Sequence, residues 1–170
     1  MESTETRNTN VDSGAGDSRH MREAIELAVE NVHSGRGGPF AALVVRHGKV
    51  LARGTNTVTS TNDPTAHAEV NAIREACRVL GTFQLPDCDI YTTCEPCPMC
   101  LGAIYWARPR HIYFGATRED AAAVGFDDAL IYRELDCVPE ERILPMTQLL
   151  QEEARAGFRV WTEKPDRVEY

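Results

Sequence analysis

Pro64-Thr65-Ala66-His67-Ala68-Glu69 and Cys94-Glu95-Pro96-Cys97-Pro98-Met99-Cys100 are the two segments that decide the fold. Each carries a Pro near the start of a predicted helix, where its missing N–H costs nothing. The first helix is expected over 65–80, with Val70, Ile73 and Cys77 on one face and Gly81 as its stop. The second is expected to open at Pro96 and Cys97 and to reach about Ala107. Between them, 89–93 reads as a short strand. A helix–strand–helix unit can bring two helix N-termini to one side of a sheet. His67 and Cys97, thirty residues apart in sequence, then become neighbours.

The flanking chain supplies the rest of the sheet. Residues 40–45 and 50–56 predict two strands joined by an Arg46-His47-Gly48-Lys49 hairpin turn. Upstream, Met21, Ile25, Ala28 and Val32 form one stripe of an amphipathic helix, with Asp17 or Ser18 to cap it and Gly35 to end it. Downstream, 111–115 reads as strand and 127–135 as a short helix. A weaker strand is expected over 142–149, where Pro145 argues against pairing. Ala154, Phe158 and Trp161 mark a last amphipathic helix. The expected architecture is one α/β domain over 18–170, with a mixed sheet between helices, preceded by a flexible polar tail over 1–17.

Composition narrows the function. The 170 residues carry a net charge of −8, which argues against a general binder of phosphate backbones. Apolar residues make up 42%, too many for wholesale disorder. No apolar run approaches the ~20 residues needed to span a bilayer. The N-terminal segment has no apolar core that would export it, so the cytoplasm is the expected location. In that setting, clustered cysteines point to metal or redox chemistry and not to a disulfide framework.

Cys97 and Cys100 lie three apart, on one face of a helix. A helix N-terminus favours thiolate over thiol. Two thiolates and the His67 imidazole make a three-ligand zinc site whose fourth position is open for water. Bound zinc brings the pKa of that water down to about 7. Glu69 points away from His67 on a regular helix, which makes it a poor fourth ligand and a better proton shuttle beside the metal.

His-x-Glu followed by Pro-Cys-x-x-Cys resembles the zinc-dependent cytidine deaminase superfamily, where the Glu is acid and base and not a ligand. Gly37-Gly38-Pro39-Phe40, 62–69, 94–105 and Gly125-Phe126-Asp127-Asp128 together resemble the bacterial guanine deaminases, and the likeness runs from about Ser18 to Tyr170. The resemblance implies a three-layer α/β/α fold and one zinc ion per subunit on His67, Cys97 and Cys100. It implies Glu69 as proton shuttle and Asp128 as a second acid near the departing amine. Asn56 would hydrogen-bond the base, and Phe40 and Trp106 would pack its ring. It further implies a homodimer with exchanged C-terminal segments, through which Tyr170 reaches the partner's site. The implied reaction is hydrolysis of guanine to xanthine and ammonia, with a small nucleobase as substrate and neither nucleic acid nor membrane as partner.

Other readings of the same residues stand beside these. Cys94 can supply a fourth ligand to a structural zinc or pair with Cys97, but either role leaves Glu69 unexplained. Taken singly, Phe40 and Trp106 read as core, Asn56 as a strand-end residue, Asp128 as a helix cap and Tyr170 as a chain end. Guanosine, cytosine, other aminated heterocycles and tRNA adenosine are the rival substrates. A zinc-stabilised module without turnover is the rival from outside the enzymes.

Overall fold

The computed structural model describes residues 16–170. Of the expected tail, residues 1–15 therefore lie outside the described residues. The first helix, α1 (Ser18–His33), is capped by Asp17, whose side chain accepts from the Arg19 N–H at 2.9 Å. Strands β1 (Ala41–Arg46) and β2 (Lys49–Thr55) form the hairpin. Its two central residues, His47 and Gly48, both have positive φ, the geometry that matches the strand twist. A single turn, α2 (Val58–Thr61), precedes α3 (Ala68–Leu80). Then come β3 (Cys88–Cys94), α4 (Pro98–Ala107) and β4 (His111–Ala116). Three helices close the chain: α5 (Arg118–Ala123), α6 (Ala129–Asp136) and α7 (Gln151–Glu163).

The sheet order is β2-β1-β3-β4, with β1 antiparallel to both neighbours and β3 parallel to β4. Alternation along the strands splits the core in two. Ala42, Val44 and Ile90 face α3 and α4 together with Leu85 and Ile104. Leu43, Val45 and Tyr91 face α1 through Ala24. This is the expected mixed sheet between helical layers. Leu43, Leu85, Ile90 and Ile104 are all at least 98% buried, each worth about 1.5–3 kcal/mol over an exposed position.

Several local expectations are corrected. Both site helices begin later than expected: His67 and Cys97 are N-caps with extended backbone, and Pro64 and Pro96 lie in the approach. The buried stripe of α3 is Ala68, Ala72 and Ala76, and the Val70, Ile73 and Cys77 face is only partly covered. The cause is close approach to β2, where a Cβ on Gly54 would sit 2.1 Å from the Ala68 carbonyl oxygen. Likewise α1 buries His20, Ala24, Ala28 and Asn31, leaving Ile25 and Val32 nearly half exposed. The segment 142–149 forms no strand; a 3-10 turn at Pro139–Glu141 leads instead into a bent, irregular connection. The short helices α2 and α5 had no counterpart in the sequence reading.

Candidate active site

Helix α3 lies across β2 and β1 and packs against α4, which places the N-termini of the two helices side by side. His67 Nδ1 lies 3.6 Å from Cys97 Sγ and 3.5 Å from Cys100 Sγ. Tetrahedral zinc with bonds of about 2.3 Å to sulfur and 2.05 Å to nitrogen needs a sulfur-to-nitrogen edge of about 3.6 Å. The side chains therefore stand at zinc-binding spacing, and their donor set is the soft N,S,S set that zinc prefers. The cap positions explain how they converge. Each ligand at an N-cap leaves its helix at the end where backbone N–H groups favour anionic sulfur.

Protonation follows the same geometry. Cys97 is held down to about 4 by the hydrogen bond from the Cys100 thiol, against its own burial and with help from His67. Cys100 is correspondingly pushed up, because it donates to Cys97 and is buried. His67 is raised, first by its hydrogen bond with Cys97.

Glu69 is 94% buried, in the first turn of α3. Its Oε1 accepts from the Thr92 hydroxyl at 2.9 Å. Burial pushes its carboxyl up, while hydrogen bonds from its own backbone N–H, from Thr92 and from Cys100 pull the other way. Thr92 was not singled out in sequence. The available signal was strand alternation, since it shares a face with Ile90 one step along β3.

Asp128 precedes α6 and makes no capping hydrogen bond with its side chain. Asp127 takes that part, its Oδ1 accepting from the Ala129 N–H at 2.8 Å. The Asp128 carboxyl is raised, first by burial and then by the charge on Cys97. The helix is tied down by Tyr132, whose hydroxyl donates to the Pro96 carbonyl at 3.5 Å and whose ring lies 4.9 Å beneath the Arg118 guanidinium.

Phe40 meets Phe126 edge to face at 4.9 Å, next to the Asp127-Asp128 pair in sequence. Asn56 is buried at the end of β2, and Thr57 beside it donates to the Ala66 carbonyl at 3.0 Å, one residue before His67. Trp106 and Tyr170 are brought to each other, with ring centroids 5.8 Å apart, and Tyr170 also meets Phe83 at 6.4 Å. That aromatic group sits at the far end of α4, about 13 Å along the helix from Cys97. Within one chain, therefore, Trp106 and Tyr170 stand apart from the other site residues.

Residues 15–116 match the cytidine and deoxycytidylate deaminase zinc-binding region. The chain belongs to this deaminase family. The guanine deaminase of Bacillus subtilis (strain 168) is 53% identical over 150 residues, which span 88% of this chain and 96% of that one. An X-ray structure of guanine deaminase from Bacillus subtilis has a TM-score of 0.89 at 51% identity, covering 92% of this chain and 99% of that one. The tRNA-specific adenosine deaminase of Agrobacterium fabrum is 48% identical over 86 residues, 51% of this chain and 57% of its own. A match of 150 residues cannot end before residue 150, so the guanine deaminase likeness includes the Phe126 to Asp128 segment. As a member of this zinc-dependent deaminase family, the chain is a zinc hydrolase. No helix of the described residues is long and apolar enough to cross a membrane.

Proposed function

We propose that this chain hydrolyses guanine to xanthine and ammonia. The observation that carries the reading is the meeting of His67, Cys97 and Cys100 at zinc spacing, with the buried Glu69 carboxylate beside them, in a chain 53% identical to a guanine deaminase. His67, Cys97 and Cys100 hold the zinc. When bound, the metal lowers the pKa of a water in its open position and so supplies the nucleophile at neutral pH.

The chain's own residues then move the protons. Glu69, fixed by Thr92, accepts a proton as water adds to the ring carbon that bears the exocyclic amine. It passes that proton to the adjacent ring nitrogen. The hydroxyl left on the ring carbon gives its proton back to Glu69, while Asp128, kept from capping α6, protonates the amine. The C–N bond breaks, ammonia leaves, the ring carbon keeps the water's oxygen as a carbonyl, and the proton on Glu69 makes good the one that Asp128 gave up. Positioned acid–base groups of this kind are worth roughly 10²–10⁴ in rate. Asn56 accepts the Val58 N–H at 3.3 Å through its Oδ1, which turns its Nδ2 towards a carbonyl on the base. Phe40, backed by Phe126, forms a wall for the ring.

The working unit is a homodimer with exchanged C-terminal segments. Its support is the apolar surface that one chain leaves open: Ile143, Leu144, Leu149, Leu150, Phe158 and Val160 are each 68–79% exposed, and no residue of α7 is buried. In such a dimer Tyr170 serves the partner's pocket. The cytoplasm suits a site that depends on two reduced thiols. The net charge of −8 disfavours a tRNA substrate, whose phosphates call for Lys and Arg.

The deciding experiment is product formation by the zinc-loaded protein on guanine, guanosine, cytosine and adenosine in parallel. Stoichiometric xanthine and ammonia from guanine alone is the expected result. Turnover of another member of the panel, with guanine inert, would overturn the substrate and the roles given to Asn56 and Asp128.

A further inference from the structure

One buried amide joins the loop before β1 to the end of β2. Asn31, in the last turn of α1, is fully buried, and its Nδ2 donates to the carbonyls of Gly38 and Asn56, both at 2.9 Å. The Gly38 carbonyl also accepts from the Phe40 N–H at 2.8 Å, and the Asn56 N–H donates to the Phe40 carbonyl at 3.0 Å. Gly37 presses on the same point, since a Cβ there would sit 2.1 Å from the Asn56 carbonyl oxygen. The backbones of Phe40 and Asn56 are thus locked to each other and, through one side chain, to α1.

Packing alone does not explain a polar residue here. The neighbouring buried positions of the same helix face are Ala24 and Ala28, and Asn31 leaves its own Oδ1 without a hydrogen-bond partner. A buried, unpaired acceptor is a cost, so the two bonds made by Nδ2 must be what the position is used for. Neither carbonyl is paired in the β1–β2 ladder, because both lie beyond its ends.

We propose that Asn31 is a positioning residue for nucleobase recognition. It sets the height of Asn56 against the bound ring and so governs affinity for the base without touching it. The proposal rests on the reading of Asn56 as the hydrogen-bonding partner of the base. A positional error of a few tenths of an ångström at Asn56 weakens its bond to the base but leaves the metal ligands and Glu69 in place, since none of them bonds to Asn31.

The test compares Asn31→Ala, Asn56→Ala and the double variant of the full-length, zinc-loaded protein, measuring KM and kcat for guanine, zinc content and Tm. Asn31→Ala is expected to raise KM about tenfold with kcat little changed and zinc stoichiometric. Asn56→Ala should raise KM at least as far, and the double variant no further, because Asn31 acts through Asn56. A lower Tm with wild-type KM for Asn31→Ala, beside a raised KM for Asn56→Ala, would mark Asn31 as a packing residue and overturn the proposal. An unchanged KM in Asn56→Ala would overturn the reading of Asn56, and the proposal with it. Should Asn31→Ala fail to fold, Asn31→Ser carries the test: it keeps a donor but cannot reach both carbonyls, so a wild-type KM in that variant also overturns the proposal.

Discussion

Glu69 combines two demands that oppose each other. It must stay charged enough to take a proton from water, and it is buried beside a thiolate. The Thr92 hydroxyl resolves part of that conflict by donating to one carboxylate oxygen, which also fixes the orientation of the group. Glu69→Gln keeps the shape and removes the base. It is expected to retain zinc and fold while deamination falls by roughly 10²–10⁴, read from steady-state rates beside metal analysis. Near wild-type turnover would remove the shuttle role. Thr92→Val keeps the volume and removes the donor, and a drop in kcat of about tenfold with normal zinc content is expected from the loosened carboxylate. If kcat is unchanged, the hydrogen bond is incidental to catalysis. His67, Glu69, Cys97 and Cys100 were legible in the sequence because their chemistry is written in short spacings. Thr92 and Asn31 were not, since each matters only through a contact that folding creates, 23 and 25 residues away in the chain.

At the level of elements, the site depends on how closely α3 lies on β2. Gly54 permits that approach: a Cβ there would meet the Ala68 carbonyl oxygen at 2.1 Å and the Ala72 nitrogen at 2.5 Å, both backbone atoms that cannot swing aside. Gly54→Ala is therefore expected to push the N-terminal turn of α3 outward, carrying His67 and Glu69 with it. A loss of about 1–3 kcal/mol, the usual range for overpacking, and a lowered zinc content should follow, measured by chemical denaturation and metal analysis. A variant as stable and as zinc-replete as the parent would show that the helix can yield at no cost to the site. The same closeness explains which parts of the elements could not be read in advance. A helix that touches a sheet backbone buries alanine at its centre line, so the stripe of larger apolar residues marked the edge of the buried face of both α1 and α3 and not its middle. The hairpin turn at 46–49 was legible, with the strand ends displaced by one residue, because two positive-φ positions at His47-Gly48 are a local requirement. Segment 142–149 was apolar enough to suggest a strand, yet one chain offers it no neighbour.

For the whole molecule, the question is what completes the site. The pairing of Trp106 with Tyr170 at the far end of α4, and the apolar surface of 143–160, both fit a chain whose last segment belongs on another copy. Truncation after Glu163, removing 164–170, is expected to cut activity while leaving zinc content intact, because no metal ligand lies in that segment. Truncation alone cannot tell whether the tail serves its own site or its partner's; complementation can. Glu69→Gln has an intact tail and a dead site, while the truncated chain has a live site and no tail. Refolded together in equal amounts, half of the dimers would be mixed, and each mixed dimer would pair one live site with one intact tail. If the tail acts across the dimer, two nearly inactive proteins should recover about a quarter of the parental activity per chain. If each tail serves its own site, mixing should recover nothing, and the exchange would be wrong while the deaminase chemistry of His67, Glu69, Cys97 and Cys100 stood.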